Sequence, residues 1–288
     1  MQQSLPKWFN QKIPRAGEDQ GADSLIKKLR LHTICESGHC PNISKCLPDG
    51  AAFLILGNVC SRNCSFCAVN RGFLQPPDPD EPANIVEAAK RLQISYIFLT
   101  SVTRDDLKDG GANQFVRTIE LIHQELPSVG VEVLVPDFKG NALAIKSVVE
   151  AKPQVLGHNI ETIPRLYPLV RPMADYQRSL ELLRLCKNID LTTVTKSGIM
   201  LGLGETREEV IAVMRDLRSI GCDLLTLGQY LSPSNQHYPI QNFPTPQEFA
   251  DYEPIAQELG FRGVVSAPLM RSSFKAGVLY NKAILGRS

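Results

Sequence analysis

From residue 51 onward, apolar residues gather into short unbroken runs separated by amphipathic stretches. "AAFLILG" opens at Ala51, and "SYIFLTSV", "VEVLVPDF", "PQVLGHN", "DLTTVTKSGIML" and "DLLTLGQY" follow in order. Such runs suit strands buried on both faces, since a strand with one wet face would alternate. Between them, "EPANIVEAAKRLQ" has helical composition, and "NQFVRTIELIHQEL" puts Phe115, Ile119 and Ile122 on one helix face. Further helical segments are expected around 141–151, 176–187 and 207–220. "PQEFADYEPIAQELG" predicts one last helix and "FRGVVSA" a last short strand. Strands alternating with helices imply parallel pairing through right-handed crossovers. Six clear units and a doubtful seventh fall short of a closed eightfold barrel, so the prediction is α/β, a partial TIM-type barrel, with a doubly wound open sheet as the alternative. In both, functional residues collect on loops at the carboxyl ends of the strands. Residues 1–50 show weak periodicity with several Pro and Gly and read as an extension laid on the rest.

Composition narrows the function classes. The 288 residues carry a net charge near +1, which gives no bulk electrostatic reason to expect nucleic acid or an anionic membrane as partner. "MQQSLPKWFNQKIPRAG" has no apolar stretch of signal-peptide length, and nothing approaches the ~18 apolar residues of a spanning helix. A cytoplasmic protein without a membrane anchor is therefore expected. In a reducing compartment, clustered cysteines read as metal ligands or redox groups rather than a disulfide frame.

Those cysteines are concentrated. Six of the eight fall in two triplets, Cys35, Cys40 and Cys46 as C-x4-C-x5-C, then Cys60, Cys64 and Cys67 as C-x3-C-x2-C. The second triplet directly follows the first predicted strand. Three thiolates on an iron-sulfur cubane leave one iron open to an exogenous ligand. A structural zinc site is the main metallic rival, but it calls for four ligands and no second pair lies near. In the first triplet His39 is a candidate fourth ligand, with an exposed loop histidine as the simpler reading. Cys186 and Cys222 read as small core residues.

The second triplet, with Phe66 in the aromatic position, resembles the cluster loop of the radical S-adenosylmethionine enzymes. Further blocks, "CESGHCPNISKC", "FLILGNVCSRNCSFC", "TSVTRDDLKDGGA", "GHNIETIPRLYPLVRP", "TKSGIMLGLGET", "LTLGQYLSPS" and "MRSSFKAG", together resemble the lipoyl synthases over nearly the whole chain. The resemblance implies a partial (β/α)6 barrel at 51–267, closed at its ends by an extension at 1–50 and another at 268–288. It implies two [4Fe-4S] clusters. Cys60, Cys64 and Cys67 would hold the one that binds S-adenosylmethionine; Cys35, Cys40, Cys46 and Ser273 would hold an auxiliary cluster that donates sulfur. Phe66, Thr100, Ser101, Asn159, Glu161 and Arg178 are the expected cofactor-lining residues, although Thr100 and Asn159 could equally be strand-end caps. The implied reaction inserts two sulfur atoms at carbons six and eight of a protein-bound octanoyl-lysine. No side-chain acid or base can remove such hydrogens, so no catalytic residue is expected beyond the cluster ligands. The implied partners are octanoylated lipoyl carrier domains (H protein, E2 subunits) and an electron donor such as ferredoxin or flavodoxin. Two rivals remain: another sulfur-inserting enzyme of the biotin synthase or methylthiotransferase type, and an electron-transfer protein holding two clusters. The chain departs from the family's usual residues at Leu47, Asn58 and Phe274.

Overall fold

The computed structural model describes residues 5–9, 20–42 and 51–284. The chain enters through α1 (Gln20–Lys28), β1 (His32–Thr33) and the short α2 (Ile34–Ser37). Thr33 caps α2, its hydroxyl accepting from the Glu36 amide. The repeating part then runs β2 (Ala51–Ile55), α3 (Glu81–Leu92), β3 (Tyr96–Ser101), α4 (Ala112–Glu125), β4 (Gly130–Leu134), α5 (Ala142–Glu150), β5 (Val155–Gly157), α6 (Tyr167–Val170), α7 (Tyr176–Ile189), β6 (Val194–Leu201), α8 (Arg207–Ser219) and β7 (Leu224–Gln229). It closes with α9 (Pro246–Ala250), α10 (Tyr252–Glu258), β8 (Gly263–Ser266) and α11 (Ala276–Ile284).

The eight strands lie side by side in sequence order. β2 to β8 are parallel, while β1 pairs antiparallel with the outer edge of β2, His32 opposite Leu54. The two edges, β1 and β8, are not joined, so the barrel is partial. The doubtful seventh unit is real, since β8 holds register with β7 from Gly263 opposite Leu224 to Ser266 opposite Leu227. β1 was not predicted, because two residues carry no periodicity. The single helix expected at the end is two: Pro254, three residues into α10, has no N–H to give the Ala250 carbonyl, and its ring crowds that turn.

The helices form because each carries an apolar stripe and a start signal. Phe115, Ile119 and Ile122 on α4 are fully buried against the sheet. Thr206 and Glu209 make a reciprocal capping box on α8, and Asn141 caps α5 through the amides of Leu143 and Ala144. A second apolar layer closes the amino-terminal end of the strands. Val155, Val194 and Leu224, each the first residue of its strand, pack with Leu279 of α11. Cys35 of α2 packs with Ala52, Phe98 and Ala276, so both chain extensions meet at this floor. Among the described residues no helix is long and apolar enough to cross a membrane.

Candidate active site

Inside the arc lies a cavity of about 360 Å³, within the range usual for small-molecule sites, roughly 300–1,000 Å³. Its upper wall is the loop after β2, with Cys60, Cys64, Phe66 and Cys67; its lower wall includes Cys35, Cys40 and the stretch from Met270 to Ser273. Strand ends supply the sides: Thr100 and Ser101 from β3, Asn159 after β5, and Gly198 and Met200 from β6. One space therefore touches both cysteine groups. Cys46 lies outside the described residues.

The upper loop is tied down by Arg62, which stands between two of the cysteines. Its buried guanidinium grips Asp105 through Nε and Nη2 at 2.7 and 2.9 Å, and Asp137 through Nη1 and Nη2 at 3.1 and 2.6 Å. Burial alone would raise the Asp137 carboxyl, but Arg62 holds it well below the usual carboxylate range. Ser61 adds a further tie, its hydroxyl donating to the Thr103 carbonyl at 2.8 Å and accepting from the Asp105 amide at 3.0 Å. The Cys60 sulfur accepts backbone N–H groups from Arg62 at 3.4 Å and Thr103 at 3.3 Å, an arrangement that stabilises electron-rich sulfur. Burial raises the Cys64 thiol and pushes that of Cys67 up to about 12. A coordinated metal would displace those protons. His237, on the loop after β7, reaches across to the Cys67 carbonyl at 3.1 Å.

Four buried polar atoms belonging to cavity-lining residues have no partner among the described residues: Ser101 Oγ, His158 Nε2, Arg171 Nε and Gln229 Oε1. Unmet donors and acceptors on an otherwise largely apolar wall fit a ligand rich in polar groups, as S-adenosylmethionine is. His158 Nδ1 faces the Val135 carbonyl at 2.8 Å and so carries the proton. Burial, reinforced by the charge of Arg171, lowers His158 to about 4, leaving Nε2 a neutral acceptor. Glu161 sits at φ +67°, a left-handed conformation a non-glycine residue rarely takes. Backbone bonds on both sides hold it there, from its amide to the Gly198 carbonyl and from the Met200 amide to its own carbonyl. Burial raises its carboxyl, opposed by the charge of Arg171 and a hydrogen bond from Asn159.

Of the residues expected to line the cofactor, Phe66, Thr100, Ser101, Asn159 and Glu161 do line the cavity. The Thr100 hydroxyl is spent on the Leu134 carbonyl at 3.0 Å. Arg178 stands outside the lining: its side chain turns to Asp137 at 2.8 Å, where it backs the carboxylate that grips Arg62. Arg62 and Arg171 are the residues sequence reasoning passed over. An arginine between two cysteines, with "TRDD" and "VPDF" downstream to receive it, was the available signal.

On the lower wall the Cys40 thiol is lowered to about 6, chiefly by a hydrogen bond with Cys35, with help from the Asn42 amide and the charge of Arg271 against the opposing effect of burial. That direction favours the thiolate, the metal-binding form. The two adjacent serines differ. The Ser272 hydroxyl is engaged with Asn159 Oδ1 at 3.1 Å and Thr226 Oγ1 at 3.4 Å, and its carbonyl accepts from Lys196 at 2.8 Å. Ser273 also lines the cavity, yet its hydroxyl has no hydrogen-bond partner among the described residues. Tight packing seats Ser272: a Cβ on Gly198 would lie 2.9 Å from both Ser272 Oγ and Asn159 Oδ1.

Thiols grouped at the carboxyl end of the first parallel strand of a partial barrel, above a largely apolar cavity with a few unmet polar groups, fit a radical S-adenosylmethionine enzyme, and the model of the radical SAM superfamily matches residues 54–217. The chain is 53% identical over 275 residues to the lipoyl synthase of Caldanaerobacter subterraneus, covering 95% of this chain and 96% of that one. It is 52% identical over 277 residues to that of Caldicellulosiruptor saccharolyticus, covering 96% and 97%. It belongs to the lipoyl synthase family. Among solved structures the fold is similar to HydG, a maturase of the [FeFe]-hydrogenase, with a TM-score of 0.62 at 13% identity, covering 92% of this chain and 67% of that one. The chain is accordingly a sulfurtransferase that uses S-adenosylmethionine and two [4Fe-4S] clusters to insert two sulfur atoms into an octanoyl group on a carrier protein.

Proposed function

We propose that Cys60, Cys64 and Cys67 hold the cluster that binds S-adenosylmethionine, and that Cys35, Cys40, Cys46 and Ser273 hold the sulfur-donating one. The observation that carries this is the single cavity lined by Cys60, Cys64 and Cys67 above and by Cys35, Cys40 and Ser273 below. When bound, these groups supply hydrogen-atom abstraction from an unactivated carbon and the sulfur that replaces the hydrogen. The protein's own part is placement and exclusion. Arg62 fixes the upper loop, with Arg178 acting behind it through Asp137. Phe66, Ser101, Asn159 and Glu161 offer an apolar face and polar atoms to the cofactor, and Thr100 holds β3 to β4 beside them. Leu54, Phe98, Leu134 and Met200 give the octanoyl chain an apolar bed that keeps water from the reacting carbons.

The free hydroxyl of Ser273, beside the committed one of Ser272, favours Ser273 as the oxygen ligand. The division of the chain follows: 1–50 and 268–288 furnish the donor site, and 51–267 the barrel. The carriers are the H protein and E2 subunits, the reductant is ferredoxin or flavodoxin, and the setting is the cytoplasm. Anaerobic reconstitution of Ser273→Ala and Ser272→Ala tests the ligand assignment. Ser273→Ala is expected to keep the iron of the upper cluster and to cleave S-adenosylmethionine on reduction, without putting sulfur into an octanoylated carrier peptide. Full iron content and normal sulfur insertion in Ser273→Ala would refute it.

A further inference from the structure

A buried ion pair lies under the donor site. Lys196 of β6 and Glu132 of β4 meet at 2.6 Å with side chains only 2% and 1% exposed. Tyr96 donates to the other Glu132 oxygen at 2.9 Å, and the Lys196 ammonium lies 5.9 Å from the Phe98 ring centroid. Buried pairs of this kind are commonly no more stabilising than apolar side chains of the same volume. Stability alone therefore gives no reason to bury this one. The remaining contact does: Lys196 Nζ donates at 2.8 Å to the carbonyl of Ser272. That carbonyl belongs to a segment with no strand or helix of its own, and an apolar side chain at 196 would leave it without this donor.

The same face of β6 provides the rest of the seat. Two residues on from Lys196, Gly198 leaves the gap into which the Ser272 hydroxyl fits, and on β7 Gly228 leaves room for the Met270 carbonyl. We propose that Lys196 is a positioning residue that clamps the Met270–Ser273 segment to the barrel floor and so holds the Ser273 hydroxyl in the cavity. Glu132 is what allows an ammonium to sit there, and Tyr96 orients Glu132. The proposal rests on the reading of Ser273 as a cluster ligand only for its catalytic meaning; the clamp itself can be measured without iron.

The test uses the full chain. Because Lys196→Met alone would leave Glu132 buried beside one donor, the informative variant is Lys196→Met with Glu132→Gln, which removes both charges. In the iron-free protein, hydrogen–deuterium exchange at the Met270 and Phe274 amides, both hydrogen-bonded in the native chain, is expected to speed up on the order of ten- to a hundredfold, the worth of a charged hydrogen bond, while exchange in β6 and β7 stays near native. After reconstitution about half the iron is expected, with cleavage of S-adenosylmethionine intact. Lys196→Gln with Glu132→Gln restores a neutral donor to Ser272 and is expected to recover part of the protection. Native exchange and full iron in the Met–Gln double variant would overturn the clamp. Fast exchange there, combined with full iron in Ser273→Ala, would leave the clamp standing and remove the ligand reading instead.

Discussion

Gly228→Ala is the sharpest probe of how the cavity floor is built. Gly228 lies in β7 opposite Met200, and the chain from Pro268 to Arg271 crosses directly over it. A methyl group there would overlap the Met270 carbonyl oxygen and sit 3.0 Å from the Met270 carbonyl carbon. Carbon–carbon contacts are comfortable at ~3.5–4.0 Å, so the segment must retreat by about 0.5–1 Å even where the overlap is milder. It cannot do so freely. The Pro268 carbonyl accepts from the Gln229 amide at 3.1 Å, the Met270 amide donates to Ala267 at 3.0 Å, and Arg271 folds back onto the Met270 carbonyl at 2.7 Å. Overpacking of this kind costs about 1–3 kcal/mol, or roughly 2–12 °C in the midpoint of thermal unfolding. The displacement carries Ser272 and Ser273 with it. The expected product is a folded chain that, after anaerobic reconstitution, holds about half the native iron, still cleaves S-adenosylmethionine and inserts no sulfur. A variant with native iron content and native sulfur insertion would show that the segment tolerates the shift and that its close seating does not govern the site.

Two further outcomes follow from the upper wall and the side of the cavity. Arg62→Lys keeps a charge but cannot grip Asp105 and Asp137 together, so iron affinity of the upper cluster is expected to fall about 10–100-fold, read by titrating iron loss against a chelator; native retention would argue that the loop is held by Ser61 and the backbone alone. His158→Gln tests a pH dependence. The unfolded chain protonates this histidine near the ordinary 6.5, the folded chain only near 4, so the unfolded state binds more protons in that window. Its contribution is complete above pH 6.5 and falls by roughly 3 kcal/mol on acidification towards pH 4. Denaturant unfolding of the iron-free native and variant chains across that range should give curves that converge as pH falls; parallel curves would refute the assignment.

Much of the fold was legible because parallel strands covered on both faces betray themselves as unbroken apolar runs. β1 escaped because pairing of two residues is decided by the edge of β2 rather than by any pattern of its own. The cysteine triplets were legible as candidate ligands for a chemical reason, since such spacing is written locally. The other half of each site was not. Ser273 entered only through resemblance, because sharing a cavity with Cys35 and Cys40 across more than 200 residues leaves no local trace, and Arg178, expected on the cofactor, turns its side chain to the Asp137 carboxylate. Lys196 and Gly198 did leave a mark: a lysine and a glycine inside the apolar run "VTKSGIML" make little sense for a strand buried by side chains alone, and signal that another backbone comes close.

The floor on which Cys35, Ala52, Phe98 and Ala276 meet joins the beginning of the chain to its end. Contacts of such sequence separation form late, since they wait on the whole intervening chain. The upper loop needs nothing beyond Asp137 for its principal anchor and can close while most of the barrel is still being synthesised. The lower wall has no Arg271, Ser272 or Ser273 until those residues have themselves been made, long after Asp137. In the order of synthesis, then, the principal anchor of the loop that carries Cys60, Cys64 and Cys67 can be in place before the Met270–Ser273 segment that completes the lower wall of the same cavity exists.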